Sequence, residues 1–215
     1  MALATISIDT IDVGQRLRTV SEVQVQSLVA SIGDVGLLNP ITVYPCKVFR
    51  DGSYLDGFGI VAGAHRLEAC KRLGLVEVDA NVVTLDDLDR QIAECDENLC
   101  ASSLSKSERA IFTKRRKDAY EAKHPETKNG IIGAMARHAP ASLADASFTA
   151  DTAAKTGQSE RAVQRDAERG TKISERALDM VRKTRLDTGA YLDGLKAVPV
   201  EKQVEKVRAD LSAPQ

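Results

Sequence analysis

The chain has 215 residues, 43% hydrophobic and 28% charged, with four Phe, four Tyr and no Trp, enough for one large domain or two small ones. So few rings argue against single-strand binding by base stacking, and no apolar run approaches the ~20 residues of a membrane helix. The net charge of −1 hides an asymmetry: residues 1–103 carry 8 basic and 15 acidic side chains, residues 104–215 carry 22 and 16, so a polyanion would meet the C-terminal half first.

In chain order, the N-terminus lacks the basic flank and long apolar core of a signal peptide. Ile6 to Ile11 alternates apolar and polar residues and predicts a short strand. Ser21 can cap a helix whose inner face is Val25, Leu28, Val29 and Ile32, ended by Gly33 and Gly36. Asn39-Pro40 turns the chain into a strand over Ile41–Tyr44, and Pro45 to Gly59, rich in turn residues, predicts a loop or loose hairpin. Phe58–Ala62 reads as a strand, Gly63 opens a helix to Leu73, and Gly74 closes it. Val76, Val78, Ala80 and Val82 alternate as another strand. Thr84-x-x-Asp87 resembles a capping box before a helix with Leu88, Ile92, Cys95 and Leu99 on one face.

From Ser105 the texture becomes helical. Ser105-x-x-Glu108 is a full capping-box pattern, opening a helix that carries the basic run Lys114–Lys117. Ala139 to Ser147 suits a linker, and Val200, Val204, Val207 and Leu211 form a weak apolar stripe near the C-terminus. The four cysteines, Cys46, Cys70, Cys95 and Cys100, have no CxxC spacing. They fit small core residues in a reducing compartment, so the expected location is the cytoplasm.

Residues 148–170, FTADTAAKTGQSERAVQRDAERG, carry a helix-turn-helix pattern. Ala153 is small where two helices cross, Gly157 supplies the positive φ of a tight turn, and Val163 anchors the second helix with Ala167. Ser159 is a good N-cap for that helix, which is expected to present Ser159, Arg161, Gln164, Arg165 and Arg169 outward, with Gln158 in the turn before it. Arg and Gln are side chains that pair bidentately with guanine and adenine edges in the major groove.

A second site is predicted at IVAGAHRLEACKRLG, where strand, glycine and helix start bring free backbone N–H groups and a positive dipole end to one point. Arg66 and His65 add charge there, and Glu68 is the one general-base candidate.

Three segments, GLLNPITV (36–43), GAHRLEACKRLG (63–74) and ENLCASSLSKSERA (97–110), occur in that order. Together with the helix-turn-helix that follows, they resemble the hallmark segments of the ParB N-terminal family, whose domain shares its fold with sulfiredoxins. The resemblance implies DNA binding and, in one branch, binding and hydrolysis of CTP, or another nucleoside triphosphate, with Mg²⁺. It places Arg16, Arg18, Gly63, Ala64, His65, Arg66, Glu97 and Asn98 around the nucleotide. Two departures remove side chains that would hold triphosphate or metal: GAHR stands where the family pattern has GERR, and Ala101 replaces the arginine of ENxxR. CTP turnover is therefore expected to be weak. GAHR is also similar to the sulfiredoxin GCHR motif, but no thiolate can form at Ala64, so sulfiredoxin chemistry is not expected.

The expected fold is α+β: a small ParB/sulfiredoxin-like α/β domain over 1–103, a helical DNA-binding domain over 104–172 with the helix-turn-helix at 149–169, and a C-terminal helical segment over 173–215. The expected function is sequence-specific binding of double-stranded DNA in a partition or regulatory system of plasmid type. The chain would act as a homodimer reading half-sites ~34 Å apart, with a partition ATPase as partner and no membrane. The alternative is a ParB-like nuclease or ATPase acting on DNA.

Overall fold

The computed structural model describes residues 2–14, 20–50, 52–101, 104–127 and 147–213. The chain packs as two compact units, Met1–Arg90 and Gln91–Gln215. No described helix is long and apolar enough to cross a membrane.

The first unit is built on five strands: β1 (Ala2–Ser7), β2 (Ile11–Asp12), β3 (Ile41–Arg50), β4 (Ser53–Ala62) and β5 (Glu77–Val82). Their order in the sheet is β1-β5-β3-β4-β2. β5 runs antiparallel to β1 and parallel to β3, β3 and β4 form an antiparallel hairpin, and β2 adds parallel to β4. Helices α1 (Glu22–Val35) and α2 (Ala64–Arg72) supply the rest of the core. Ile41, Val43, Val78 and Ala80 from the sheet meet Val25, Ile32, Leu67 and Cys70 from the helices. The expected stripe of α1 is thus the buried one, with Leu28 and Val29 packed partly against the same core. α1 runs through Gly33 and stops at Gly36, whose φ of 77° places it in the left-handed region.

One expectation fails here. The strand predicted from Ile6 to Ile11 ends at Ser7, and a 3-10 turn over Ile8–Thr10 leads into β2. Of the loop or loose hairpin expected over Pro45 to Gly59, the hairpin is what forms, regular and long, turning around Gly52. Gly57 and Gly59 mark close approaches rather than turns. A Cβ at Gly57 would lie 2.6 Å from the Thr10 carbonyl oxygen, and one at Gly59 would lie 2.4 Å from the Tyr44 ring. Pro45 sits beyond Val43, the last β3 residue paired with β5, so that part of β3 pairs with β4 alone and tolerates a proline.

Helix α3 (Asp87–Cys100) buries Ile92, Cys95 and Leu99. Its first turn is capped by Asp86, whose carboxylate accepts the Asp89 N–H at 2.7 Å, so Thr84 is not the cap. The second unit continues with α4 (Lys106–Lys123), which begins with the predicted capping box: Ser105 and Glu108 each bond the other's backbone N–H. Of the linker expected over 139–147, all but Ser147 lies outside the described residues, and Ser147 caps α5 (Phe148–Thr156). Then come α6 (Glu160–Lys172), α7 (Glu175–Val181), α8 (Gly189–Leu195) and α9 (Val200–Ser212).

Ala110, Ile111, Leu178, Val181, Leu192, Leu195 and Val207 form the core of this unit, with Val204 and Leu211 packed partly against it. The stripe on α9 is therefore internal, and only Val200 of the four lies exposed. Gln203, fully buried, accepts the Ser174 N–H and donates to the Lys172 and Val198 carbonyls, satisfying the end of α6 and the start of α7.

Candidate functional site

Helices α5 and α6 and the turn between them follow from three local choices. Gly157 adopts φ 69°, and its N–H closes α5 on the Ala153 carbonyl. The Ser159 hydroxyl accepts the Ala162 N–H and starts α6. Val163 and Ala167 then face inward, 1% and 6% exposed. α6 lies tight on α4 at Gly170, where a Cβ would fall 2.4 Å from the Ala110 carbonyl oxygen.

The opposite face of α6 carries Arg161, Gln164 and Arg165, all exposed. Among the described residues none of the three has an ion-pair or hydrogen-bond partner. They line a concavity of about 690 Å³ together with Lys117, Lys172 and Lys196 and the carboxylates paired with these lysines, Glu121, Glu168 and Asp193. Ser159 is exposed and Gln158 half-buried at the start of this face.

Arg169 departs from the expectation. It is buried rather than outward, donating to both oxygens of Asp193 at 3.0 and 2.7 Å and to Asp166 at 2.9 Å. It stands at the border between the two faces, and its long side chain folds inward onto carboxylates of α6 and α8. Burial pushes the Asp166 carboxyl up against the pull of Arg169, whereas the bond from Arg169 holds Asp193 down at about 2. Asp166 lies three residues after Val163, so the helical period already places it on the inner face.

The basic run on α4 is also tied internally. Lys114 pairs with Asp118, Arg115 with Glu175, and Lys117 with Glu121 at 3.7 Å. Arg116 is fully buried. Although contiguous in sequence, these four side chains form no single strip, because successive helical positions point ~100° apart and meet different neighbours.

At the second predicted site, Gly63 has φ 96° and ends β4, and α2 begins at Ala64. Arg66 does not stand free over the turn. Its Nη1 donates to the Asn39 and Pro40 carbonyls, both at 2.7 Å, and its guanidinium occupies the space a Gly63 side chain would need. His65 Nε2 accepts the Ser21 N–H at 3.0 Å, at the start of α1. Glu68 is not placed as a general base: its carboxylate is bonded to Arg72, which also grips both oxygens of Glu22. Ala64 is buried in the first turn of α2.

Glu97 and Asn98 belong to the second unit, on α3, where Asn98 is buried and donates to the Glu94 carbonyl. Arg16 and Arg18 lie outside the described residues. Burial raises the Cys70 thiol and pushes Cys95 up to about 12, which keeps both protonated and suits core residues. Among the described residues no cluster of His, Cys, Asp or Glu is grouped to hold a metal.

Residues 1–99 match the ParB N-terminal domain. The same fold appears in a Pnob8-like ParB-N domain, with a TM-score of 0.55 at 12% identity over 99% of this chain and 98% of that one. Two further similar structures are of the C-terminally truncated chromosome-partitioning protein ParB from Caulobacter crescentus. One, complexed to the centromeric parS site, has a TM-score of 0.49 at 18% identity, covering 96% of this chain and 99% of that one. The other, complexed with CTP-gamma-S, has a TM-score of 0.39 at 22% identity, covering 97% and 99%. No curated protein matches the chain. The ParB-like fold thus combines a mixed sheet with a following helical region, as the sequence pattern predicted.

Proposed function

We propose that this ParB-like chain binds double-stranded DNA in a sequence-specific manner through α5 and α6, within a partition or regulatory system. The carrying observation is the face of Arg161, Gln164 and Arg165 on the first turns of a helix that follows a tight glycine turn. Helix-turn-helix proteins lay those turns of their second helix against base edges. The three side chains offer up to two bidentate arginine contacts and one bidentate amide contact. Arg169 has no part in reading bases, because two carboxylates already hold it.

The test begins with selection of a binding site from random duplex DNA. Arg165→Ala or Gln164→Ala should then cost roughly 1–3 kcal/mol on the selected site and relax preference at one base pair. Lys114→Ala should leave the base preference unchanged, since Lys114 is paired with Asp118 on α4 and is not on the reading face of α6. Substitutions at 164 and 165 that alter neither affinity nor preference would reduce α5 and α6 to a structural hairpin.

The resemblance and the left-handed Gly63 turn support a nucleotide, CTP with Mg²⁺ first among them, at the N-terminal domain. Gly63, Ala64, His65 and Arg66 are its proposed surroundings within the first unit, where a phosphate would have to draw Arg66 from the Asn39 and Pro40 carbonyls. Calorimetric titration with CTP, ATP and GTP tests this, and no heat at millimolar nucleotide would overturn it. A nuclease reading gains nothing from the described residues, which present no free acidic cluster. Homodimerisation on paired half-sites, and a partition ATPase as partner, complete the proposal.

A further inference from the structure

Among the described residues, Arg116 is the largest side chain fully removed from solvent. Its guanidinium sits among three helices of the second unit. Nε and Nη2 donate to the two oxygens of Asp96 on α3 at 2.5 and 3.3 Å. Nη2 also reaches Asp151 at 2.7 Å, and Nη1 reaches the Thr152 hydroxyl at 2.7 Å, both on α5. Tyr120 and Phe148 lie beside the group, 5.8 and 5.9 Å from its central carbon.

A second cation, Lys155, lies 3.5 Å from Asp151 and 4.0 Å from Asp96. The Cys100 thiol, at the end of α3, contacts the Lys155 carbonyl at 3.6 Å. Two cations and two carboxylates thus join α3 to α5, and Arg116 from α4 is the only one of them with no exposed surface.

A buried guanidinium shared among several acceptors is costly to desolvate and poorly tolerant of displacement. If α3 shifts, Asp96 leaves Arg116 short of an acceptor, and the arginine can recover only by pulling on Asp151 and Thr152. Those two residues sit in α5, the helix that supports α6 across the Gly157 turn. We infer that Arg116 is a positioning residue that makes the helix-turn-helix answer to α3, so that movement of α3 changes how α6 meets DNA. Arg116 itself, being buried, contacts no DNA. The inference rests on the proposed DNA-reading role of α6 for its consequence, but not for its mechanical content.

The test uses the full chain with Asp96→Asn, which keeps shape and an acceptor oxygen but removes the charge facing Arg116. Arg116→Lys, which keeps charge but loses the multi-acceptor fork, is the harsher variant and can fail to fold. Two readouts are taken at a temperature where circular dichroism shows Asp96→Asn folded. Amide hydrogen exchange over 148–156 should quicken relative to wild type, while exchange over 200–212 stays the same. Affinity for the selected DNA site should fall about tenfold, with non-specific affinity at low salt unchanged. Arg165→Ala in the same background should lose less than it does in wild type.

Unchanged exchange over 148–156 overturns the relay, whatever the DNA result. Faster exchange with undiminished cognate affinity overturns the positioning role and leaves a purely structural network. If wild-type protein selects no DNA site at all, the DNA-reading proposal fails, while the exchange measurement still decides the relay.

Discussion

The arginine at the Gly63 turn and those on the outer face of α6 meet opposite fates. Arg66 is bonded to two carbonyls of its own chain, whereas Arg161 and Arg165 have no partner among the described residues. The difference is one of neighbours, not of residue type. The chain ahead of β3 brings the Asn39 and Pro40 carbonyls beside α2, within reach of a guanidinium. The outer face of α6 points away from Val163 and Ala167, and each arginine near enough to a carboxylate, such as Arg169, has already folded in. An arginine beside a glycine turn and one on an outer helix face look alike in sequence. Only on α6 does the cation remain available to a ligand without breaking a bond to the protein.

The comparison is most exposed at Gly170, because α6 presents its outer face only while its inner face lies tight on α4. Gly170→Ala places a Cβ 2.4 Å from the Ala110 carbonyl and 2.6 Å from Lys114 Cβ. Backbone must move, so urea unfolding should show a loss of about 3 kcal/mol. A variant as stable as wild type would mean α4 and α6 can separate freely.

In the first unit, Arg66→Ala removes two bonds from a charged donor to carbonyls, and should lower stability by roughly 1.5–3 kcal/mol. DNA affinity of the folded variant should stay at the wild-type level. Equal losses in both assays would erase the contrast between a structural arginine and a reading one.

A smaller effect separates the inward arginine of α6 from its outward neighbours by pH. The bond from Arg169 holds Asp193 at about 2 in the folded protein, below the ~3.9 of a free aspartate. A depressed carboxylate contributes stability that is present above pH ~4 and lost as pH falls toward 2. Glu168, held at about 2 by Lys172 and Lys196, acts in the same direction. Melting temperature followed from pH 6 to pH 2.5 should therefore decline less steeply in Asp193→Asn than in wild type. Parallel curves would show that the Arg169 bridge does not contribute.

The smallest change sharpens the glycine side of the comparison. Gly33 sits inside α1 with its nearest non-local neighbour, a Leu73 methyl, at 3.7 Å from a built Cβ. Gly33→Ala should be accepted and add about 0.5–1 kcal/mol by helix propensity, read from the same urea curves as Gly170→Ala. Opposite signs at the two helical glycines are the expected result.

Local signals carried a good part of this in the sequence itself. The Ser105–Glu108 box, the helix start at Gly63, the left-handed Gly157, the Ser159 cap and the inner stripes of α1 and α6 all depend on residues within a few positions of one another. The resemblance carried by GLLNPITV, GAHRLEACKRLG and ENLCASSLSKSERA pointed to a ParB-like domain, and the texture after Ser105 to the helices that follow. Tertiary structure decided the rest. Gly57 and Gly59 read as turn residues because the atoms they make room for, on Thr10 and Tyr44, lie far away in sequence. Whether a given arginine faces water or a carboxylate was equally hidden. Asp96 and Asp151, which hold Arg116, stand 20 and 35 residues from it, and Asp193 stands 24 from Arg169. A long cationic side chain takes whichever acceptor the fold brings within reach, and that acceptor is set by packing rather than by its neighbours along the chain.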